Sequence, residues 1–242
     1  MIWHETSDPA VIVMLTQTAE AGREKCSQYF PLSEEAVTFE IESTDEDGSS
    51  SEGQVQLTET NFDEASRTTT RKLAMTVGEN SKTVWHLLFS GWPDFDIPEN
   101  EDRAALLELL KLSVSKNGAA SNPRIIHCSA GVGRSGTFIA LEHLLAQIES
   151  EAVAEAREDE DMIFDVVNRL REQRMTMVQS DTQYGFLYDV VLEQYRKWQL
   201  KKASGNGTLS QRLQDLAKDV KKSVLFRSRS VDNVNEKGKE TP

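Results

Sequence analysis

Cysteine is scarce in this chain. Cys26 and Cys128 are the only two in 242 residues, too few for a disulfide framework. Long apolar runs are absent as well: none approaches the length of a membrane span, and Met1-Ile2-Trp3-His4-Glu5 has neither the basic start nor the apolar stretch of a secretory leader. These absences predict a chain of a reducing compartment, cytoplasmic or also nuclear, with no membrane partner. Positive charge is short too. The net charge of −13 argues against nucleic acid as a partner, because phosphate backbones are bound through clustered Lys and Arg. The deficit is uneven: residues 201–242 hold ten Lys and Arg against five Asp and Glu, leaving 17 against 35 for the rest.

Apolar residues make up 38% and charged residues 28%, which fits a globular body with polar tails. The length suits one α/β domain. Ala10–Thr16 reads as a fully buried strand. Further strands are expected near 36–41, 54–60, 67–77, 82–90 and 124–128, and helices near 100–116, 135–150, 160–174 and 182–200. That order predicts an α/β (α+β) fold with a twisted mixed β-sheet flanked by helices. Glu42–Gly53 reads as a polar hairpin loop, Asn117–Asn122 as a loop before the cysteine strand, and Glu149–Asp161 as an acidic insertion. The globular domain is expected over 1–200, followed by a flexible basic tail over 201–242. Leu209, Leu213, Leu216, Val220 and Val224 recur there at helical spacing, which predicts an amphipathic helix over 208–225.

The stretch with the most chemistry is His127-Cys128-Ser129-Ala130-Gly131-Val132-Gly133-Arg134-Ser135-Gly136-Thr137. A β-branched run precedes it and a helical pattern follows. Gly131 and Gly133 permit backbone angles that let successive N–H groups point inward as an anion nest. The helix beginning near Arg134 adds its unpaired first-turn N–H groups and the positive end of its dipole. A dianionic phosphoryl group suits such a cradle, and Arg134 can hold two of its oxygens with a planar fork. Thiols at helix N-termini beside cations ionise well below the ordinary ~8.5, so Cys128 is expected to be an anionic nucleophile. Ser135 could donate its hydroxyl to the sulfur. A lone cysteine is more often a plain buried residue; agreement across the whole stretch favours the nucleophile.

This loop resembles the C-x5-R-[ST] signature of the protein tyrosine phosphatases, and three further stretches point to their tyrosine-specific, non-receptor-like catalytic domain. Gly91-Trp92-Pro93-Asp94-Phe95-Asp96-Ile97-Pro98 resembles the family's mobile WPD loop. The resemblance implies that Asp94 is general acid for the tyrosyl oxygen and then general base for water, with Trp92 part of the same loop. Alone, Pro-Asp would read as a turn. Asp96 departs from the family, which usually has Gly there. Gln179-Ser180-Asp181-Thr182-Gln183-Tyr184-Gly185-Phe186 resembles the Q-loop. It implies that Gln179 positions the hydrolytic water and Gln183 binds a phosphate oxygen; the same residues also read as a capped helix start. The beginning, from Met1-Ile2-Trp3 to Lys25-Cys26-Ser27-Gln28-Tyr29-Phe30-Pro31, is similar to the family's corresponding stretch. There Glu20 would pair with Arg134 and Lys25 would approach the catalytic loop, where otherwise each would be a solvated surface charge.

The family resemblance runs from Met1 to about Gln199. Arg171-Glu172-Gln173-Arg174 matches a helix whose arginines brace the sheet and loops. Substrate binding would fall to Ser129, Ala130, Gly131, Val132, Gly133, Arg134, Gln183 and Asp94, and catalysis to Cys128, Arg134, Asp94, Ser135 and Gln179, supported by Glu20, Lys25, His127 and Trp92. The implied partner is a phosphotyrosine-containing protein; no metal or cofactor is implied, and no oligomeric state. The segment around Val166–Arg171 resembles fungal members, which suggests signalling kinases such as MAP kinases as substrates. The family's catalytic domain also has helices, strands and an Asn-Arg-Tyr loop before the stretch matched by Met1. Without them, open sheet edges and uncovered apolar faces are expected. A catalytically impaired phosphotyrosine-binding fragment or scaffold is therefore the alternative, and a dual-specificity phosphatase, which lacks the paired glutamines, a third.

Overall fold

A computed structural model describes residues 1–35, 37–42, 50–94, 96–150 and 160–205. The inner strand is β1 (Ala10–Met14), whose five residues are all buried. It is buried because it pairs on both sides, parallel to β7 (Asn80–Phe89) and parallel to β8 (Ile125–His127). A strand covered on both faces needs a continuous apolar run, and Ala-Val-Ile-Val-Met supplies it. From β7 the sheet continues antiparallel through β6 (Thr68–Val77), β5 (Ser50–Asp63) and β4 (Val37–Glu42). The order is β4-β5-β6-β7-β1-β8, so β4 and β8 form the edges. A register shift at Leu57/Glu59 marks a bulge in β5. Between β1 and β4, the two-residue strands β2 (Ala19–Glu20) and β3 (Arg23–Glu24) pair antiparallel.

Side chains alternate across the sheet, and this divides the core in two. Val11 and Val13 face a larger cluster with Leu87, Phe89, Leu106, Leu109, Phe138, Leu141 and Leu187. Helices α2 (Asn100–Lys116), α3 (Gly133–Glu149), α4 (Met162–Gln173) and α5 (Asp181–Gly205) all contribute to it. Ala10, Ile12 and Met14 face a smaller cluster with Phe30, Leu57, Leu73 and Val84. The short helix α1 (Ile2–Glu5) brings Ile2 against that side. The expected mixed sheet flanked by helices is present, and the four long helices share one face.

Every sequence-expected strand and helix among the described residues is found, with ends moved by a few residues. The largest change is β5, expected over 54–60 and observed over Ser50–Asp63. Most of the Glu42–Gly53 loop and of the 149–161 insertion lies outside the described residues, as does the expected helix at 208–225. The last described helix passes the expected boundary at 200 and is described as far as Gly205.

Candidate active site

β8 ends at His127 and α3 begins at Gly133, and the intervening turn is the candidate cradle. Cys128 lies at its base and is only 6% exposed. Gly131 takes a left-handed backbone (φ +71°), open to glycine at no steric cost. Val132 caps α3, and its carbonyl accepts from Gly136 N (3.0 Å) and Val178 N (3.1 Å). Gly133 lies close to the two glutamines. A Cβ there would stand 3.1 Å from Gln183 Oε1 and 3.3 Å from Gln179 Oε1. The loop is braced from α4, as the resemblance implied: Arg174 Nη2 donates to Ala130 O (2.9 Å), while Arg171 donates to Met177 O (3.0 Å) and Val178 O (2.9 Å).

Arg134, 2% exposed, sits in the first turn of α3. Nη1 donates to Leu15 O (2.9 Å) and Glu20 Oε1 (2.6 Å), and Nη2 to Glu20 Oε2 (2.6 Å) and Asp94 Oδ1 (2.7 Å). Glu20 therefore grips the guanidinium with a two-pronged fork. The β2–β3 hairpin places Glu20 there, and Thr16 Oγ1 (2.9 Å) and Gln17 N (3.1 Å) also donate to its carboxylate. Burial opposes ionisation of Glu20, but the bonds from Arg134, Gln17 and Thr16 outweigh it and hold its carboxyl below the ordinary range. With all four Nη hydrogens used, an anion approaching Nη2 must displace the singly bonded Asp94 rather than the bidentate Glu20.

Asp94 also pairs with Lys25, whose Nζ bonds Oδ2. Burial again opposes the charge, and hydrogen bonds from Lys25 and Arg134 more than offset it, so the Asp94 carboxyl is held below its ordinary range. The loop carrying it is anchored at Trp92, which is buried and donates Nε1–H to Asp96 O (2.9 Å). Trp92 packs near Phe186 of α5, with ring centroids 6.4 Å apart. Gln183 Nε2 reaches the same Asp96 carbonyl at 3.5 Å.

Gln183 is 2% exposed. Ser180 Oγ accepts from Gln183 N (3.1 Å), and Gln183 Oε1 accepts from Ser180 N (3.4 Å) and Gln179 N (3.2 Å). This is a capping box at the start of α5, and it holds the Gln183 side chain against Gly133, with Gln179 Oε1 beside it. Ser135 is buried, and its Oγ has no hydrogen-bond partner among the described residues; the expected bond to the Cys128 sulfur is not formed here. His127 turns away from the cradle. Its Nδ1 faces Cys128 O (3.1 Å), and its Nε2 lies 2.6 Å from the Tyr29 hydroxyl. Burial lowers its proton affinity, against the opposing effect of the Cys128 carbonyl. Leu15 and Thr16, which hold Arg134 and Glu20, carry no functional signal in the sequence. Both lie at the end of a buried strand, where apolar pattern hides backbone and hydroxyl contacts.

Residues 1–193 match the family model described as protein-tyrosine phosphatase. Tyrosine-protein phosphatase 2 of Schizosaccharomyces pombe is 37% identical over 195 residues, covering 79% of this chain and 25% of that protein. Phosphatidylinositol phosphatase PTPRQ of Rattus norvegicus is 34% identical over 193 residues, covering 80% of this chain and 7% of that protein. The solved structure of PTPN18 in complex with a HER2 phosphopeptide superposes with a TM-score of 0.63 at 25% identity, covering 77% of this chain and 58% of that one. The chain thus spans a quarter or less of the length of these two curated relatives. The family model covers about four-fifths of the chain, and the chain belongs to the protein-tyrosine phosphatase family.

Proposed function

We propose that this chain hydrolyses phosphotyrosine in proteins through a cysteinyl-phosphate intermediate. The observation that carries the proposal is convergence: Cys128, Arg134, Asp94, Gln179 and Gln183 come from three separate segments and meet around one turn. In the first step the Cys128 thiolate attacks phosphorus. The S–P bond forms, the P–O bond to the tyrosyl group breaks, and Asp94 gives its proton to the phenolic oxygen. In the second, a water positioned by Gln179 attacks phosphorus and loses a proton to Asp94. The S–P bond breaks, inorganic phosphate leaves and the thiolate is restored, with Ser135 as the donor that eases its departure. The backbone N–H groups of Ser129–Gly133, with Arg134, hold the phosphoryl oxygens.

The Asp94–Arg134 contact sets the order of events. A dianion entering the cradle takes the place of Asp94 on Nη2. The carboxyl then loses a cation and gains an anionic neighbour, and both changes raise its proton affinity. Substrate binding thereby prepares the acid. Attraction of substrate is local, because the described body is acidic overall and screening confines the field of Arg134 and Lys25 to about 8–10 Å.

Signalling kinases such as MAP kinases are the substrate class we favour, on the resemblance to fungal members. A second reading, capture of phosphotyrosine without turnover, is favoured by the bonds from Lys25 and Arg134 that hold the Asp94 carboxyl ionised, a form with no proton to give. Assay of phosphotyrosyl, phosphothreonyl and phosphoinositide substrates decides between these. Phosphotyrosyl hydrolysis that is lost in Cys128→Ser and survives a chelator supports the proposal. Binding without turnover supports the second reading, and preferred hydrolysis of phosphothreonine or a phosphoinositide refutes the stated substrate class.

A further inference from the structure

The connection from α4 to α5 carries Gln179, and its backbone is strained. Thr176 and Val178 have φ of +64° and +59°. Both are β-branched, and such residues stay in the left-handed region only where their surroundings hold them. Part of the hold comes from the end of α4, where Arg171 donates to Met177 O and Val178 O. The start of α4 is tied to α5 as well. Asp161 caps α4: its Oδ1 accepts from Ile163 N (3.1 Å) and Phe164 N (3.0 Å). Its Oδ2 accepts the Tyr188 hydroxyl hydrogen at 2.6 Å. The Tyr188 oxygen lies 3.1 Å from the Tyr184 hydroxyl, one turn nearer the start of α5.

A hydroxyl has one hydrogen to give. Tyr188 gives its own to Asp161, so between the two tyrosines Tyr184 is the donor. Burial, and then the bond to Asp161, raise the proton affinity of Tyr188 far above its ordinary range, so this donor stays protonated. Arg171 and Asp165 of α4 are further charged groups near Tyr184. Tyr184 and Tyr188 stand four positions apart, on one flank of α5. Gln183, Phe186, Leu187 and Val190 are buried. The bond to a carboxylate, stronger than a neutral one, therefore fixes the rotation of α5 about its axis. That rotation decides where Gln183 stands, and Gln183 Oε1 in turn accepts from Gln179 N and Ser180 N.

We infer that Asp161 and Tyr188 are positioning residues for the second half of the reaction, the attack of water on phosphocysteine. They act through the spacing and rotation of α4 and α5, which hold the strained Val178 and, next to it, Gln179. Cys128 and Arg134 are placed by β8 and α3 instead, so slack between α4 and α5 reaches the water before it reaches the thiolate. The inference rests on the proposed role of Gln179.

The test is the fate of the phosphoryl group when glycerol competes with water. A glycerol oxygen attacks phosphorus in place of water, its proton goes to Asp94, the S–P bond breaks and glycerol phosphate leaves. In the full chain acting on a phosphotyrosyl peptide, Tyr188→Phe is expected to raise the ratio of glycerol phosphate to inorganic phosphate about ten-fold, the effect of one lost hydrogen bond to a charged group. The first-turnover release of tyrosyl peptide should be unchanged. A loss of folded protein would lower both products alike and leave their ratio where it was. Should Tyr188→Phe not fold, Tyr184→Phe, which removes only the neutral bond, is expected to raise the ratio about five-fold. Hydrogen exchange reads the same device without substrate: the Gln179 and Ser180 amides should exchange faster in either variant. An unchanged ratio in the folded variant, or unchanged exchange at both amides, would overturn the inference. Failure of the proposed reaction shows differently, as no dephosphorylation by the unmodified chain, and exchange alone then decides.

Discussion

Arg134 Nη2 lies 2.7 Å from Asp94 Oδ1. The cation that seats the phosphoryl group in the proposed reaction therefore also holds the acid that protonates its leaving oxygen. Substrate and acid compete for one guanidinium edge, and Lys25 keeps the displaced carboxylate nearby.

Removing the Asp94 carboxylate should separate binding from turnover. Asp94→Ala loses the proton donor, so kcat is expected to fall by about 10²–10⁴-fold. It also frees Nη2, so phosphopeptide or vanadate should bind at least as tightly as to the unmodified chain. Steady-state kinetics with a direct binding measurement check this. A raised Kd together with an unchanged kcat is the contrary result.

Glu20 shapes the cation rather than the reaction. Arg134 is 2% exposed and the Glu20 side chain 16%, so Glu20→Gln leaves a buried guanidinium with half its carboxylate fork. Breaking such a pair costs about 3 kcal/mol. A lower urea midpoint with an unchanged slope measures it. Activity should fall as well, because Arg134 loses the partner that aims it.

Acid should unfold the domain in two windows. His86 has its proton affinity pushed down to about 3, chiefly by burial and then by Arg71 and His127. The unfolded chain binds that proton near 6.5 and the folded one does not, so stability falls as pH drops from about 6.5 towards 3. Asp94 and Glu20 act lower. Their folded values lie below the ordinary carboxyl range, so their contribution is complete above about 4 and is lost as pH falls through the folded values. His127, whose proton affinity burial also lowers, adds to the upper window; thermal midpoints measured against pH should show both windows, and His86→Leu should shrink the upper one and leave the lower unchanged.

Two glycines should differ by what surrounds them. A Cβ on Gly136 would stand 2.6 Å from Val178 N, a backbone atom that cannot step aside. Gly136→Ala is expected to push the Q-loop away from α3 and to cost about 1–3 kcal/mol. A Cβ on Gly133 meets the Gln183 and Gln179 side chains at 3.1–3.3 Å. Gly133→Ala should therefore cost less stability and more turnover, as the two glutamines shift. Thermal melts with kcat on each variant make the comparison.

The elements of this fold were legible where local pattern decides them. The apolar run at β1, the 17 residues of α2 and the glycine turn with its helix α3 all stand where their residues place them. Strand order was not legible, because pairing β1 parallel to both β7 and β8 depends on contacts far apart in sequence. The short β2–β3 hairpin was also missed. Two-residue strands have no period to read, yet this hairpin carries Glu20 to Arg134. Cys128, Arg134, Asp94, Gln179 and Gln183 could be picked out by motif, whereas His86 could not. It lies 42 positions before the cysteine in a strand that also carries Asn, Ser, Lys and Thr, and only the tertiary fold brings it 3.1 Å from the Tyr29 hydroxyl.

The central claim is covalent phosphoryl transfer from tyrosine to Cys128, and trapping that intermediate tests it most directly. The full chain, carrying Gln179→Ala to slow the attack of water, is mixed with a phosphotyrosyl peptide, quenched in acid and digested for mass analysis. The account predicts a phosphate on the peptide containing Cys128, released with the proportions of a single turnover, and no adduct in Cys128→Ser. Hydrolysis that persists in Cys128→Ser, or turnover of the unmodified chain with no phosphocysteine at any time point, would contradict it.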